Sequence, residues 1–550
     1  MEITNSGLYQ LFSKEDKSTW ATVLAAAVLA GLFQGLIVLL INQIAANLNT
    51  GGLHIRYLLL VALALLAFAL LSYYSTTKTV ALAEQAMFNK YLSIADSIRR
   101  ASTIGFEDIG KGHIYSTLQT NVHIIVETSK TLSSIGAAIV MIIFCGVYIA
   151  YISKAAIVIV LSFYLFGIFV YATNHKNIGE IMRKGAALET DFIRLFRHFI
   201  EGFKELKVDT AKGDDLYDNH MVVGAEAATT ARVETENRLA TNSVFVQSFY
   251  YAMIAATLVL LPQLGSIPTQ DIIKIAAVVL FSYGSMTRIV MSIPLILKAE
   301  TAINRLSDLE KRLLGIKERD TPCKENTLVL DQEMSIELRN AHFSYPSDKA
   351  NEHFVLGPVD LSFKAGEIVF LVGGNGSGKT TLLKTLCGLY RPHSGELLVN
   401  GMPLQDSCYQ DYRNAFSVIF PDYCIFDKFY GQDVDQELVS DLLEKMGLEK
   451  VTSLKDGGFT NLKLSAGQRK RLAILCAHVE SGQWLVMDEV AADLDPEFKK
   501  FFYEAYLDEL RKAGKTIIAV SHDEKYFHLA DRVIKCEEGR IVAGITYKQI

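Results

Sequence analysis

Three features are missing from this 550-residue chain. It has no C-x-x-C pair. Its seven cysteines (Cys145, Cys323, Cys387, Cys408, Cys424, Cys476, Cys536) are scattered and odd in number. That argues against a disulfide framework and for reduced thiols. It has no block of lysine and arginine, and its net charge is −6, which argues against a nucleic-acid partner. It also shows no cleavable signal: residues 1–20 are polar and mixed in charge, and the apolar stretch that follows is too long for one.

Charge is also missing locally. Half of the residues are hydrophobic, and they are unevenly placed. Residues 1–310 carry long uncharged stretches, and 57–75 contains no charge at all. A helix needs about 20 apolar residues to cross a bilayer. Six segments qualify, near residues 19–45, 57–75, 131–152, 155–173, 243–262 and 272–297. The segments 48–56, 153–154 and 263–271 between them are short and nearly free of Lys and Arg, whereas 76–130 and 174–242 are long and rich in Lys and Arg. The positive-inside rule places the long loops, both termini and the second half of the chain in the cytoplasm. The long loops keep helical periodicity, so helices 2 to 5 are expected to continue well beyond the membrane. The turns at 201–209 and 105–114 are then candidates to touch the second half.

Beyond Lys274 at its outer end, Arg288 is the one charge inside the otherwise apolar segment 272–297, about 24 Å along helix 6 from that end. Buried membrane charges face a cavity or a partner. Arg288 is either a contact for an anionic group or a structural, snorkelling charge. Tyr283 and Tyr250 are further polar candidates in apolar helices, and Pro294 is expected to kink helix 6. The charged segment 298–331 marks the boundary. It divides a membrane domain (1–310), a linker (311–330) and a soluble α/β domain (331–550).

The second half contains a complete phosphate loop. Residues Gly373, Gly374, Asn375, Gly376, Ser377, Gly378, Lys379 and Thr380 spell G-x-x-x-x-G-K-T, after an apolar run and before a helix-like stretch opening at Thr381. Glycines let the backbone wrap phosphate oxygens, and the helix N-terminus adds partial positive charge. Lys379 can reach the β- and γ-phosphates of ATP, and Thr380 offers a hydroxyl to Mg²⁺. Leu464, Ser465, Ala466, Gly467 and Gln468 open another helix and form a second phosphate-binding surface. The apolar strand 484–487 ends in Asp488 and Glu489. A carboxylate there suits Mg²⁺, and the next suits a general base. His522 follows strand 517–520, where it can bond the γ-phosphate or orient water. Tyr345, at the end of strand-like 335–345, can stack on adenine. A core or surface tyrosine is the alternative.

With these residues in order, the chain resembles an ATP-binding cassette half-transporter of the exporter kind. The resemblance implies a type IV exporter-like fold: six transmembrane helices fused to an α/β P-loop cassette. It also implies a homodimer in which Leu464–Gln468 of one copy closes on nucleotide held by the other. Residues 492–495, Ala-Asp-Leu-Asp ending at Asp495, match the loop that bridges the two sites. Residues 465–473, 488–498 and 521–527 resemble more narrowly the bacterial cyclic-peptide and siderophore-peptide exporters, the pyoverdine-precursor, syringomycin-type and microcin group. This implies export of a peptide-like cargo from cytoplasm to periplasm across the inner membrane, by alternating access. The alternatives are a lipid or multidrug exporter, and a nucleotide-gated channel or sensor ATPase.

Two departures stand out. The family's usual loop glutamine aligns with Pro421, which has no side-chain donor or acceptor. The neighbouring Asp422 is then the candidate to reach Mg²⁺. Residues 455–463 lack the acidic, Gly-containing loop of many multidrug exporters, which leaves open how hydrolysis is signalled to the helices.

Overall fold

The structure is a computed structural model that describes residues 17–47, 55–175, 178–264, 267–318, 334–345, 354–492 and 494–546. The chain divides into two compact units, Met1–Ala95 with Gly112–Lys311, and Asp96–Lys111 with Arg312–Ile550.

The first unit is helical. Among the described residues, six helices are long and apolar enough to cross a membrane. In our numbering these are α1 (Lys17–Asn47), α2 (Ile55–Arg99), α4 (Lys111–Ile152), α5 (Lys154–His175), α9 (Val222–Leu264) and α10 (Thr269–Gly315). Each contains one of the six apolar segments read from the sequence. The 45 residues of α2 extend about 68 Å at 1.5 Å per residue, more than twice the ~30 Å hydrocarbon core. The long loops are therefore mostly helix. After α5 the chain continues as α6 (Ile178–Glu201), two one-turn helices, α7 (Phe203–Val208) and α8 (Thr210–Asp215), and a π-helical turn into α9. Only 6% of the most apolar window of α2 is buried, so Leu58, Leu59 and Leu63 face outward, as lipid contact requires. α10 continues through Pro294 and the charged residues after 298 as far as Gly315. Helix thus occupies the start of the expected linker, and residues 319–330 lie outside the described residues.

The core of this unit gathers Val38, Met141, Cys145, Ile149, Val160, Tyr250, Met253, Ile275 and Val279. One polar knot sits within it. The Tyr164 and Tyr250 hydroxyls lie 2.6 Å apart, and Ser282 Oγ is 3.1 Å from Tyr250 and 3.2 Å from Tyr164. These three residues tie α5, α9 and α10 together.

The second unit is α/β. A six-stranded sheet has the order β12-β11-β3-β10-β9-β6: β12 (Arg540–Thr546), β11 (Arg532–Glu537), β3 (Ile368–Val372), β10 (Thr516–Val520), β9 (Trp484–Met487) and β6 (Phe416–Ile419). All but β12 are parallel. The continuous apolar run of β3 follows from its central place. Ile368 and Phe370 enter one core, and Val369 and Leu371 enter the other. A strand covered on both faces needs apolar residues on both. An antiparallel sheet, β2-β1-β4-β5, lies beside it, with β1 (Ile336–Ser344), β2 (Val355–Phe363), β4 (Ser394–Val399) and β5 (Met402–Pro403). The short helix α3 (Thr103–Ile109) belongs to this unit, although it lies between α2 and α4 in sequence.

Cys145, Cys387, Cys424, Cys476 and Cys536 are free thiols. Cys408 is disulfide-bonded, which corrects the expectation of reduced thiols at that one described position.

Candidate nucleotide site

β3 delivers the chain to the phosphate loop, and α11 (Lys379–Leu386) carries it away. Two glycines are dictated by geometry. Gly373 has φ +150° and a Cβ there would lie 2.2 Å from the Cys536 carbonyl oxygen. Gly378, the N-cap of α11, has φ +102°, and its Cβ would meet Phe354 at 2.6 Å. Neither point tolerates a side chain. Lys379 is buried and donates to the Gly373 and Gly374 carbonyls at 2.9 Å each. The ammonium is therefore already held over the loop. Ser377 Oγ is buried without a hydrogen-bond partner, an orphan polar atom of the kind a ligand satisfies.

Around this loop lies a cavity of about 530 Å³, lined by Tyr345, Phe354, residues 375–381 and Glu489. The Tyr345 hydroxyl is 3.0 Å from Thr381 Oγ1, which holds the ring at the cavity edge. Phe354 was not foreseen. It is delivered by the pairing of β1 with β2, a contact between residues far apart in sequence that leaves no local signal.

Strand β9 ends at Asp488, and Thr380 Oγ1 donates to Asp488 Oδ2 at 2.6 Å. Burial pushes the Asp488 carboxyl above its ordinary range, against the Thr380 hydrogen bond. A buried anion with a single neutral donor suits a cation between those two oxygens. The residues thus fit Mg²⁺. Glu489 adopts φ +52°, a left-handed conformation that costs a non-glycine residue about 1–3 kcal/mol and is typical of functional sites. This turn aims its carboxylate at His522, with Oε1 to Nε2 at 3.1 Å. Lys470 Nζ donates to the Glu489 carbonyl at 3.2 Å and braces it.

Leu464–Gln468 stands apart from this cavity. Ser465 caps α14 (Ala466–Val479) in a reciprocal box: Gln468 N donates to Ser465 Oγ, and Ser465 N donates to Gln468 Oε1. None of these five residues lines the cavity. Asp495 caps α15 (Pro496–Phe501) through Phe498 N at 2.9 Å and pairs with Arg471 of α14. Both contacts hold its carboxyl below the ordinary range. Asp493 lies outside the described residues. Asp422, in the turn after β6, pairs with Lys111 at 3.3 Å with both side chains exposed, while Thr380 and Asp488 meet each other.

In the helical unit, Tyr250 is 3% exposed and engaged in the hydroxyl knot. Tyr283 packs edge-on against it at 5.3 Å. Arg288 reaches only Gly284 O and Ser285 Oγ on its own helix, both at 3.3 Å, and no acidic partner among the described residues. A separate cavity of about 300 Å³, nearly all apolar, lies between α5, α9 and α10 and is lined by Tyr164, Tyr171, Phe245, Phe249, Tyr250 and Met286, among others.

A phosphate loop, a paired Thr–Asp and a strand-end Glu facing a histidine, carried on one chain with six membrane-length helices, define a membrane nucleotide triphosphatase. Residues 356–492 match the family model described as ABC transporter. The chain is 31% identical over 448 residues to the ATP-binding protein SyrD of Pseudomonas syringae pv. syringae, with 79% of each chain covered. It is 26% identical over 494 residues to an ATP-dependent lipid A-core flippase of Alkalilimnicola ehrlichii, with 85% of this chain and 79% of that one covered. A solved bacterial Atm1-family ABC exporter with ATP bound has the same fold, at a TM-score of 0.73 and 17% identity over 97% of this chain and 96% of that one. The chain belongs to the ABC transporter family. It is an exporter that binds ATP and couples its hydrolysis to transport.

Proposed function

We propose that this exporter moves a peptide-like cargo, such as a cyclic peptide, siderophore precursor or microcin, from cytoplasm to periplasm. It acts as a homodimer in the bacterial inner membrane, by alternating access. The observation that carries the engine is the Thr380–Asp488 and Glu489–His522 pairing beside an open phosphate loop. ATP enters the 530 Å³ cavity with its base against Tyr345. Lys379 exchanges its two carbonyl acceptors for phosphate oxygens. Thr380 and Asp488 hold Mg²⁺, which when bound neutralises charge on the phosphates, and Asp422 is a further candidate ligand. Glu489 takes the proton of the attacking water, and His522 orients it. Leu464–Gln468 and Asp495 of a second copy complete the site, consistent with their absence from the cavity of a single chain.

The peptide reading rests on the strings around residues 465–473, 488–498 and 521–527, together with the likeness to SyrD along most of the chain. A lipid cargo is the second reading, favoured by the flippase likeness across 85% of the chain. Arg288, without an acidic partner among the described residues, is the cargo contact we favour for an anionic group; Tyr283 and Tyr250, packed on each other, are further candidates. The test is ATP hydrolysis in lipid discs across cyclic peptides, linear siderophore peptides, lipids and dyes. Stimulation by peptides alone supports the peptide reading. Stimulation by lipids or dyes alone replaces it.

A further inference from the structure

The cavity of about 300 Å³ between α5, α9 and α10 opens to the side of the helical unit. Ile168 lines it and is 55% exposed, and its neighbours Leu165, Phe166 and Phe169 on α5 are exposed as well. Gly167 contributes no side chain to the wall. Tyr164 and Tyr250 line it too, but their hydroxyls are engaged with each other and with Ser282, so they offer the cavity ring carbon. Its size is at the lower end of small-molecule sites, and its wall matches a hydrocarbon chain. A wall that faces no atoms loses its dispersion contacts, so a chain is drawn in by packing alone, as helices are in a bilayer.

The wall alone does not say which chain; α9 does. Residues three and four apart share a helix face. Phe249 and Phe245 line the cavity, and Asn242 and Arg238 continue the same face towards the start of the helix. Asn242 is the residue before the apolar segment 243–262, which puts it at the edge of the hydrocarbon. It is 8% exposed, and its Nδ2 is buried with no hydrogen-bond partner among the described residues. An amide donor left unpaired beside hydrocarbon carries a free-energy cost that a ligand's acceptor removes. One turn further from the hydrocarbon, Arg238 is exposed and in no ion pair among the described residues. Apolar cavity, neutral donor and cation therefore follow one another along one face. Acyl chain, ester carbonyl and phosphate follow one another in the same order from the inside of a leaflet outwards.

We propose that a glycerophospholipid of the bilayer occupies this site, with one acyl chain in the cavity, an ester carbonyl accepting from Asn242 Nδ2, and its phosphate paired with Arg238. A bare hydrocarbon would satisfy neither Asn242 nor Arg238, and a cyclic peptide without a chain would leave the wall uncovered. The bound lipid bridges α5, α9 and α10 beside the hydroxyl knot. It enters sideways from the surrounding leaflet and is a component of the helical unit, whichever cargo is carried.

The test is photolabelling of the full chain in detergent micelles, washed free of other phospholipid, by dilute phosphatidylglycerol with a diazirine midway along one acyl chain. Labelled peptides are mapped by mass spectrometry. Peptides covering 164–171, 245–253 and 286–293 should take label well above that on 55–66 of α2, whose exposed leucines report ordinary lipid contact. Arg238→Ala should lower the cavity label about fivefold, the worth of one cation beside a membrane surface. Asn242→Leu should lower it about threefold, the worth of one hydrogen bond within a membrane. The label on α2 stays unchanged in both. Ile168→Trp, at the exposed mouth, should block entry and lose the cavity label even if Asn242→Leu fails to fold. A cavity label no higher than that on α2, or a parent-like label in both Arg238→Ala and Asn242→Leu, overturns the proposal. So does equal capture of a diazirine alkane that has no headgroup. Displacement of the label by a cyclic peptide that stimulates hydrolysis overturns it too, and would make the cavity a cargo site.

Discussion

The two units use polar groups in opposite ways. In the nucleotide unit they are concentrated and directed: Lys379, Thr380, Asp488, Glu489 and His522 all meet around one loop. In the helical unit they are sparse and mostly satisfied locally, as with the Tyr164–Tyr250–Ser282 knot and Arg288 bonded to its own helix. Phosphate chemistry imposes the same donors at the same places whenever it is performed, so it leaves a motif. A membrane pathway needs only apolar outer faces and a few dispersed polar groups, and dispersal leaves none.

Four substitutions sharpen or break this contrast. Glu489→Gln keeps the shape of the site and removes the base. ATP hydrolysis should fall about 10³-fold with nucleotide binding retained, within the span expected for general-base catalysis; unchanged turnover would move the base elsewhere. Gly373→Ala places a Cβ against the Cys536 carbonyl at a positive φ. It should destabilise the loop by about 2 kcal/mol and weaken ATP binding at least about tenfold, as measured with a fluorescent analogue.

Asp488→Asn should act in two directions at once. Burial raises the folded pKa of Asp488, so the native state favours its protonated form. That favourable contribution is present below the ordinary aspartate range and is lost as pH rises through the raised pKa. Above that raised pKa the ionised carboxylate burdens the nucleotide-free protein. There the asparagine variant should gain about 1 kcal/mol in thermal unfolding, with the gain shrinking as pH falls, while hydrolysis is lost. Tyr250→Phe removes one hydroxyl from the membrane knot. It should cost about 0.6 kcal/mol, in line with hydrogen bonds between membrane helices, and leave basal hydrolysis unchanged. A large loss of hydrolysis there would mean that the helical unit is not locally satisfied.

Legibility in the sequence followed the same divide. The six spans could be located because each is a continuous apolar run, and the phosphate loop, Asp488, Glu489 and His522 because each ends a strand or opens a helix. The placement of Phe354 and Tyr164 could not be read: Phe354 depends on β1–β2 pairing, and Tyr164 on three helices meeting. The turn at 105–114 was expected to touch the second half, and its residues up to Lys111 are grouped with that half. The continuation of α10 through its charged stretch was also hidden, because a charged, amphipathic helix and a solvated linker have similar composition. For Asp422, the sequence showed a carboxylate beside an unsuitable proline but not the lysine that pairs with it.

The most direct test of the central claim is steady-state ATP hydrolysis by the purified protein and its Glu489→Gln variant in lipid discs, with bound nucleotide measured in parallel. The account predicts hydrolysis by the parent, and a variant that retains ATP and turns it over about 10³-fold more slowly. Equal turnover in the two proteins, or no nucleotide bound by either, would contradict it.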